Sequence, residues 1–271
     1  MKKLNLCFLI LILAITLPLR SQNRNPYIPQ KLSIWLQTGG GTNIVHSADM
    51  GASPMNYVGG GLNITQGGTM IWDRCQVHLE SRALANVELN KAAGDIFAFG
   101  YDGRAEFLYR CYNYKDLHVW AGGATQAYMD IKYYPQLMNA SVGGSIFFNL
   151  HATGMVQLDF LPFFDFNHNL CSIYGKLSLP LLGSVTRPGF AYMDNFTSSL
   201  NLMNSFFQDY QTNFMAFPGV STDVGIFLNL LNKNKIGLTY RWDYLTTRHT
   251  GCYRFDHAAH TFNIVYLFNI F

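Results

Sequence analysis

Between Phe97 and Cys111 the chain alternates between two kinds of side chain. Odd positions carry Phe97, Phe99, Tyr101, Ala105, Phe107, Tyr109 and Cys111, while even positions include Asp102, Arg104, Glu106 and Arg110. Successive side chains of a β-strand point to opposite faces, so this segment has one apolar face and one charged face. The stretch from Leu117 to Lys132 divides the same way. Leu117, Val119, Ala121, Ala127, Met129 and Ile131 share one side, and His118, Gln126, Tyr128, Asp130 and Lys132 the other. Both segments exceed the roughly 5 to 6 residues of an ordinary strand. They also reach the about 9 to 11 residues that a strand needs to cross a bilayer. A soluble antiparallel sandwich alternates too, but it turns a polar side outward and its strands seldom run this long.

Composition narrows the choice. Of 271 residues, 49% are hydrophobic and 13% are Asp, Glu, Lys or Arg, against about 25% charged in an ordinary soluble domain. Aromatic content of 15% excludes a disordered chain. The 24 glycines and the absence of sustained heptads exclude a long coiled coil. Beyond Leu19 no run approaches the roughly 18 to 20 apolar residues of a spanning helix. Apolar side chains without apolar blocks are the pattern of an all-β, closed antiparallel transmembrane β-barrel.

The N-terminus reads as a secretory signal. Lys2 and Lys3 precede an apolar stretch from Leu4 to Leu19, and Arg20-Ser21-Gln22 follows. Cleavage is expected after Ser21, giving a signal at 1–21 and one barrel domain at 22–271. Cys7 lies inside the signal with no small residue before it, which argues against a lipoprotein anchor. Removing Lys2, Lys3 and Arg20 from the 19 basic residues leaves 16, equal to the 16 acidic ones. Nothing in this balance calls for nucleic acid.

Strands are expected near 31–38, 56–65, 69–89, 96–111, 117–133, 141–151, 155–164, 171–182, 220–231, 235–246 and 257–271. Turn residues at 66–68, 112–116, 152–154 and 232–234 separate several of them. With both ends of the chain periplasmic, alternating directions along this order leaves 171–182 and 220–231 parallel. A further strand is therefore expected within 183–219, giving about 12 in all, with 10 to 14 possible and an even number preferred. The alternative is that 183–219 passes through the lumen. The segment 195–218 is apolar, and Leu200, Met203, Phe207 and Tyr210 follow helical steps. An amphipathic helix there would fold over the lumen mouth or lie along the outer leaflet.

The chain ends His260-Thr261-Phe262-Asn263-Ile264-Val265-Tyr266-Leu267-Phe268-Asn269-Ile270-Phe271. An alternating, aromatic-rich last strand ending in Phe resembles the C-terminal recognition strand of bacterial outer-membrane β-barrels. Its better apolar face is Phe262, Ile264, Tyr266, Phe268 and Ile270. The positions counted back from Phe271 include Asn263 and Asn269 instead. The resemblance implies the outer membrane of a Gram-negative cell, contact with outer-membrane lipid, and recognition by the barrel-assembly machinery through Phe271. It names no protein partner.

Alternation assigns fifteen charges to the lumen. These are Arg74, Glu80, Arg82, Glu88, Asp102, Arg104, Glu106, Arg110, Asp130, Lys132, Asp159, Lys176, Asp223, Arg241 and Asp243. Buried charges must be paired or hydrated. Because the signs mix within single strands, a self-neutralising network is expected over a charge-lined channel. Folding 69–89 onto 96–111 offers two registers. One sets Cys75 opposite Cys111 but Arg82 opposite Arg104. The other pairs Arg82 with Asp102 and Glu80 with Arg104 and separates the cysteines. The second is favoured, leaving lipid-facing free thiols.

Chemistry is sparsely signalled. Some outer-membrane barrels hydrolyse lipids with a His–Ser pair on the outer rim, but no His-x-Ser occurs here. The catalytic candidates are His260 and, across the hairpin, Thr246 as a His-activated nucleophile. His249, Cys252, His257 and His260 match no closed zinc site, so no metal and no cofactor is expected. Gly39-Gly40-Gly41 and Gly59-Gly60-Gly61 lack a strand–helix context for phosphate and fit bends in a barrel wall. The expected function is a structural, interaction or narrow-passage role. The alternatives are an outer-membrane lipid hydrolase, of the phospholipase or lipid A deacylase class, and an open diffusion porin.

Overall fold

The alternating segments become strands, and all but one successive pair along the chain associate antiparallel. The computed structural model describes residues 32–50, 53–91, 94–114, 116–136, 142–160, 171–188, 210–230, 233–247 and 254–270. Among these lie β1 (Ser33–Asp49), β2 (Ser53–Trp72), β3 (Cys75–Leu89), β4 (Ile96–Tyr114), β5 (Leu117–Tyr133) and β6 (Val142–Phe160). They are followed by β7 (Cys171–Pro188), β8 (Tyr210–Ala216), β9 (Gly219–Asn229), β10 (Lys235–Thr246) and β11 (Phe255–Asn269). The signal at 1–21, Cys252, Phe271 and the positions Leu200, Met203 and Phe207 lie outside the described residues.

β1 pairs with both β2 and β11, so the sheet closes on itself and the fold is an all-β antiparallel barrel. Closure pairs the wall strands on both sides, except along β8, for which β7 is the one partner among the described residues. The ring has ten staves, because β8 and β9 share one partner. Cys171–Ser178 of β7 pairs with β9, and Leu182–Pro188 pairs with β8. The two strands lie end to end, interrupted where Phe217 turns to φ 52° before Pro218. Proline has no N–H for the ladder, and its carbonyl instead accepts Thr246 N at 2.8 Å.

Ten staves plus β8 differ from the expected twelve for two linked reasons. Ala152-Thr153-Gly154 lies inside β6, where it pairs with Ala121, Gly122 and Gly123 of β5. Splitting β6 there adds one strand, and restoring alternate directions then demands a second. Gln66-Gly67-Gly68 is likewise internal to β2, flanked by β1 and β3. The true β2–β3 turn is Asp73-Arg74, with Asp73 at φ 51°. Tyr210 opens β8, so a helix reaching it is not what forms.

The two faces separate as the alternation requires. Leu62, Ile64, Leu238 and Ile264 are each more than 60% exposed on the outer wall. On β11 the outer face includes Phe262, Ile264 and Phe268, with Ile270 exposed just beyond its end, while Asn263 points inward and is buried. Such a continuous apolar exterior requires a non-aqueous surround.

Inside, Leu108, Trp120 and Met155 form one cluster toward the end that carries the chain termini. Tyr57, Ile96 and Tyr134 form another at the opposite end. Tyr128, Phe147, Val185, Met215, Leu245 and Phe255 make a third. The glycine runs sit where β1 and β2 meet their outer neighbours most closely. A Cβ at Gly41 would lie 1.7 Å from the Phe262 carbonyl oxygen, and one at Gly59 2.0 Å from that of Val87.

Candidate functional site: a charge-paired lumen

Four cations and five carboxylates from five strands meet inside the barrel. On β3 and β4, Arg82 stands opposite Asp102 and Glu80 opposite Arg104. Arg82 Nη2 lies 2.5 Å from Asp102 and 3.3 Å from Asp243 on β10. Arg104 reaches Asp243 at 3.5 Å and donates to Ser221 Oγ at 3.2 Å. Arg241 holds Asp223 on the adjacent β9 at 2.8 Å and Glu80 at 2.6 Å. Lys176 on β7 donates to both oxygens of Glu106 on β4, at 2.9 and 3.0 Å. It also lies 3.5 Å from Asp223. Neutral groups complete the layer. Gln126 donates to Asp102 at 2.8 Å, and the Tyr174 hydroxyl to Asp223 at 2.8 Å.

These side chains are held by packing on rigid strands, and most are almost fully buried. Pairs of this kind tolerate burial only when lone pairs and protons are satisfied on several sides. Arg serves well here because its planar fork can hold two carboxylates at once. The contacts run from β3 and β4 to β7, β9 and β10, so the layer crosses the lumen.

A second charged group lies toward the opposite end. Lys132 Nζ is 3.0 Å from Glu88 and 3.8 Å from Asp130, and it donates to Ser47 Oγ at 2.7 Å. Ser47 also bonds Glu88. Arg187 pairs with Asp49 at 2.5 Å, and its guanidinium lies 4.7 Å above the Phe255 ring. Sequence reasoning missed Asp49 and Arg187 because it ended the flanking strands at 38 and 182. Extending the alternation through Gly183, Val185 and Arg187 places all three on one face and would have found the arginine.

Three assigned charges sit elsewhere, among them Asp159 near the terminal-side end of β6, 3.2 Å from His118 Nε2. Arg74 is exposed in the β2–β3 turn, since the strand ends before it. Arg110 lies at the terminal-side rim, donating to the Asp73 carbonyl at 2.5 Å and stacked 5.0 Å from the Trp120 ring.

The catalytic candidates are not brought together. Register places His260 opposite Trp242 and Thr246 opposite Asp256. Four residues of strand, about 13 Å, separate those positions. His260 Nδ1 is 2.8 Å from the Tyr240 hydroxyl, and Thr246 Oγ1 donates to Asp256 at 2.6 Å. No group of three or more His, Cys, Asp or Glu among the described residues has metal-binding geometry. Cys75, Cys111 and Cys171 are free thiols, with Cys75 opposite Tyr109.

No protein-family model and no curated protein matches this sequence. Solved structures do. The outer-membrane protease OmpT of Escherichia coli aligns with a TM-score of 0.51 at 6% identity, covering 92% of this chain and 100% of that one. Neisserial surface protein A gives 0.31 at 10% identity, over 87% of this chain and 99% of that one. Ail, the attachment invasion locus protein of Yersinia pestis, gives 0.26 at 11% identity, over 88% and 100%. The likeness to OmpT is one of fold, and it places this chain's architecture among the closed β-barrels found in bacterial outer membranes.

Proposed function

We propose that this protein is an integral outer-membrane β-barrel whose lumen is closed by its own side chains, and that it serves a structural or interaction role. The carrying observation is the cross-lumen layer centred on Arg82, Arg241 and Asp243, where guanidinium groups on one wall are bonded to carboxylates on the other. A solute would have to break several buried ion pairs to pass, which is costly in a low-dielectric interior. The apolar outer wall supplies the membrane surface, and the two-residue connections at 73–74 and 115–116 on the side of the termini fit the periplasmic face. Export by the signal at 1–21 and insertion through the strand ending at Phe271 complete this reading.

The test is electrical. Purified, refolded protein in planar bilayers should give no large, stable channels, while fractionating with the outer membrane and migrating faster unheated than boiled. Large steady conductance from the intact barrel would replace this reading with the diffusion pore.

A further inference from the structure

We infer that β8 carries a docking edge in the barrel wall for an extended, apolar polypeptide segment of another protein. The inference rests on the interaction role proposed above and names the chemistry of the partner.

Among the described residues, every strand of the ring has a partner on both sides except β8. β9 continues the same stave and pairs with both β7 and β10, whereas β8 bonds β7 alone. β10 stops short of β8, for Leu245 stands opposite Gly219 and Thr247 N turns to Phe255 O at 2.9 Å. Along an antiparallel strand the N–H and C=O of one residue point to one neighbour and those of the next residue to the other. β4, β8 and β11 all run toward the end that carries the termini. On β4 the inward Arg110 donates back to Arg74 O, and just past β11 the outward Ile270 donates forward to Ile34 O. By the same rule the inward residues Asn213 and Met215 bond β7, as Phe217 N does to Leu181 O at 3.2 Å. The outward residues Thr212, Phe214 and Ala216 therefore aim their backbone groups at the open side. All three are exposed, and no backbone hydrogen bond reaches them among the described residues.

The surroundings select a strand as the occupant. The wall beside the edge is apolar, with Leu182 61%, Phe214 84% and Phe217 57% exposed. Against hydrocarbon, water does not satisfy backbone groups, and an acyl chain offers neither donor nor acceptor. An extended polypeptide offers both, at the spacing of the ladder. Behind the edge Met215 packs with Phe147, Val185, Leu245 and Phe255, so apolar side chains on the lumen side of an added strand meet an apolar surface. A second copy of this chain does not fit. Two barrels inserted the same way are related by an axis along the membrane normal. Wall strands tilt by about 35 to 45°, so two β8 edges would cross at roughly 70 to 90° instead of pairing.

The experiment uses the full mature barrel, refolded in detergent, and a fluorescent, lysine-flanked peptide of alternating valine and threonine that matches the 7 residues of β8. Fluorescence anisotropy should show saturable binding, and a benzophenone on the peptide should cross-link to the tryptic fragment that carries β8. Phe214→Pro removes an N–H from the open side and leaves the β7 ladder intact, a position where an edge strand tolerates proline. It should weaken binding about tenfold. Thr212→Pro is the second variant of the same kind, and heat-modifiable migration verifies that each is folded. Absence of saturable binding, cross-links that fall elsewhere, unchanged affinity in both folded proline variants, or a barrel dimer joined through β8 overturns the proposal. A compact, non-conducting barrel that binds no peptide would end this inference alone, whereas large channels would end the closed-lumen reading.

Discussion

Arg241 on β10 donates to Glu80 on β3 at 2.6 Å across the lumen, although β11, β1 and β2 separate the two strands on the shorter way round. The same guanidinium grips Asp223 on β9 at 2.8 Å. One side chain thus ties three staves, and the register partner of Glu80, Arg104, turns to Asp243 and Ser221 instead.

Arg241→Met should therefore destabilise the barrel by about 3 to 5 kcal/mol, because it strands buried carboxylates without their cation. Adding Glu80→Gln should recover part of the loss, since one of those charges is then removed. Denaturant unfolding of the refolded single and double variants measures both effects. A single variant as stable as the parent would show that the network is ornamental to folding.

The two faces of the wall should respond oppositely to the same charge. Ile264 is 61% exposed on the outer surface, and an arginine there near the bilayer midplane should cost about 2 to 4 kcal/mol. Gln76 lines a cavity of about 140 Å³ at the end of the lumen nearest the termini and is partly exposed, so Gln76→Arg should change folding yield little. Equal losses for both would contradict the assigned facing.

Facing was legible in the sequence because side chains alternate with period two, and this alone placed Glu80, Arg82, Asp102, Arg104, Glu106, Asp130, Lys132, Arg241 and Asp243 inside. Hairpin register was legible too, since one of the two offsets sets Arg82 opposite Asp102. Contacts across the lumen were not. They depend on the height and angular position of each stave, which local pattern does not encode. Ten staves fall within the 10 to 14 expected, but the figure of twelve overcounted at Gly154, and a strand boundary was misplaced at Gly67 and Gly68. Glycine usually punctuates a soluble chain, but ladder bonds on both sides hold it inside a wall strand.

Gly41 offers a test of close approach between β1 and β11. With the Phe262 carbonyl oxygen only 1.7 Å from any added Cβ, Gly41→Val must push the closing strands apart. The variant should lose most of its compact, heat-modifiable band on refolding. Gly40→Val is the control, because its Cβ would meet nothing nearer than the Asn63 oxygen at 3.2 Å. Indistinguishable refolding of the two would mean that the seam tolerates a wider gap.

The thiols report the register of β3 on β4. Arg110 N donates to Arg74 O at 2.8 Å, so those directly opposed residues form a hydrogen-bonded pair. The next pair, Cys75 and Tyr109, is then a non-hydrogen-bonded one, with Cα atoms about 4.5 Å apart. That spacing is within disulfide reach. Cys111 lies two residues further along and at a bulge in the pairing of β4 with β5, so its diagonal distance to Cys75 is about 7 to 8 Å. A disulfide does not span that without backbone movement. Oxidising the parent protein should leave Cys75 and Cys111 unlinked. Tyr109→Cys, built with Cys111→Ser, should cross-link to Cys75 under the same conditions. Peptide mapping by mass spectrometry of non-reduced protein distinguishes the two. A native Cys75–Cys111 bridge would shift the hairpin by two residues, set Arg82 against Arg104, and dismantle the charge layer at its first pair.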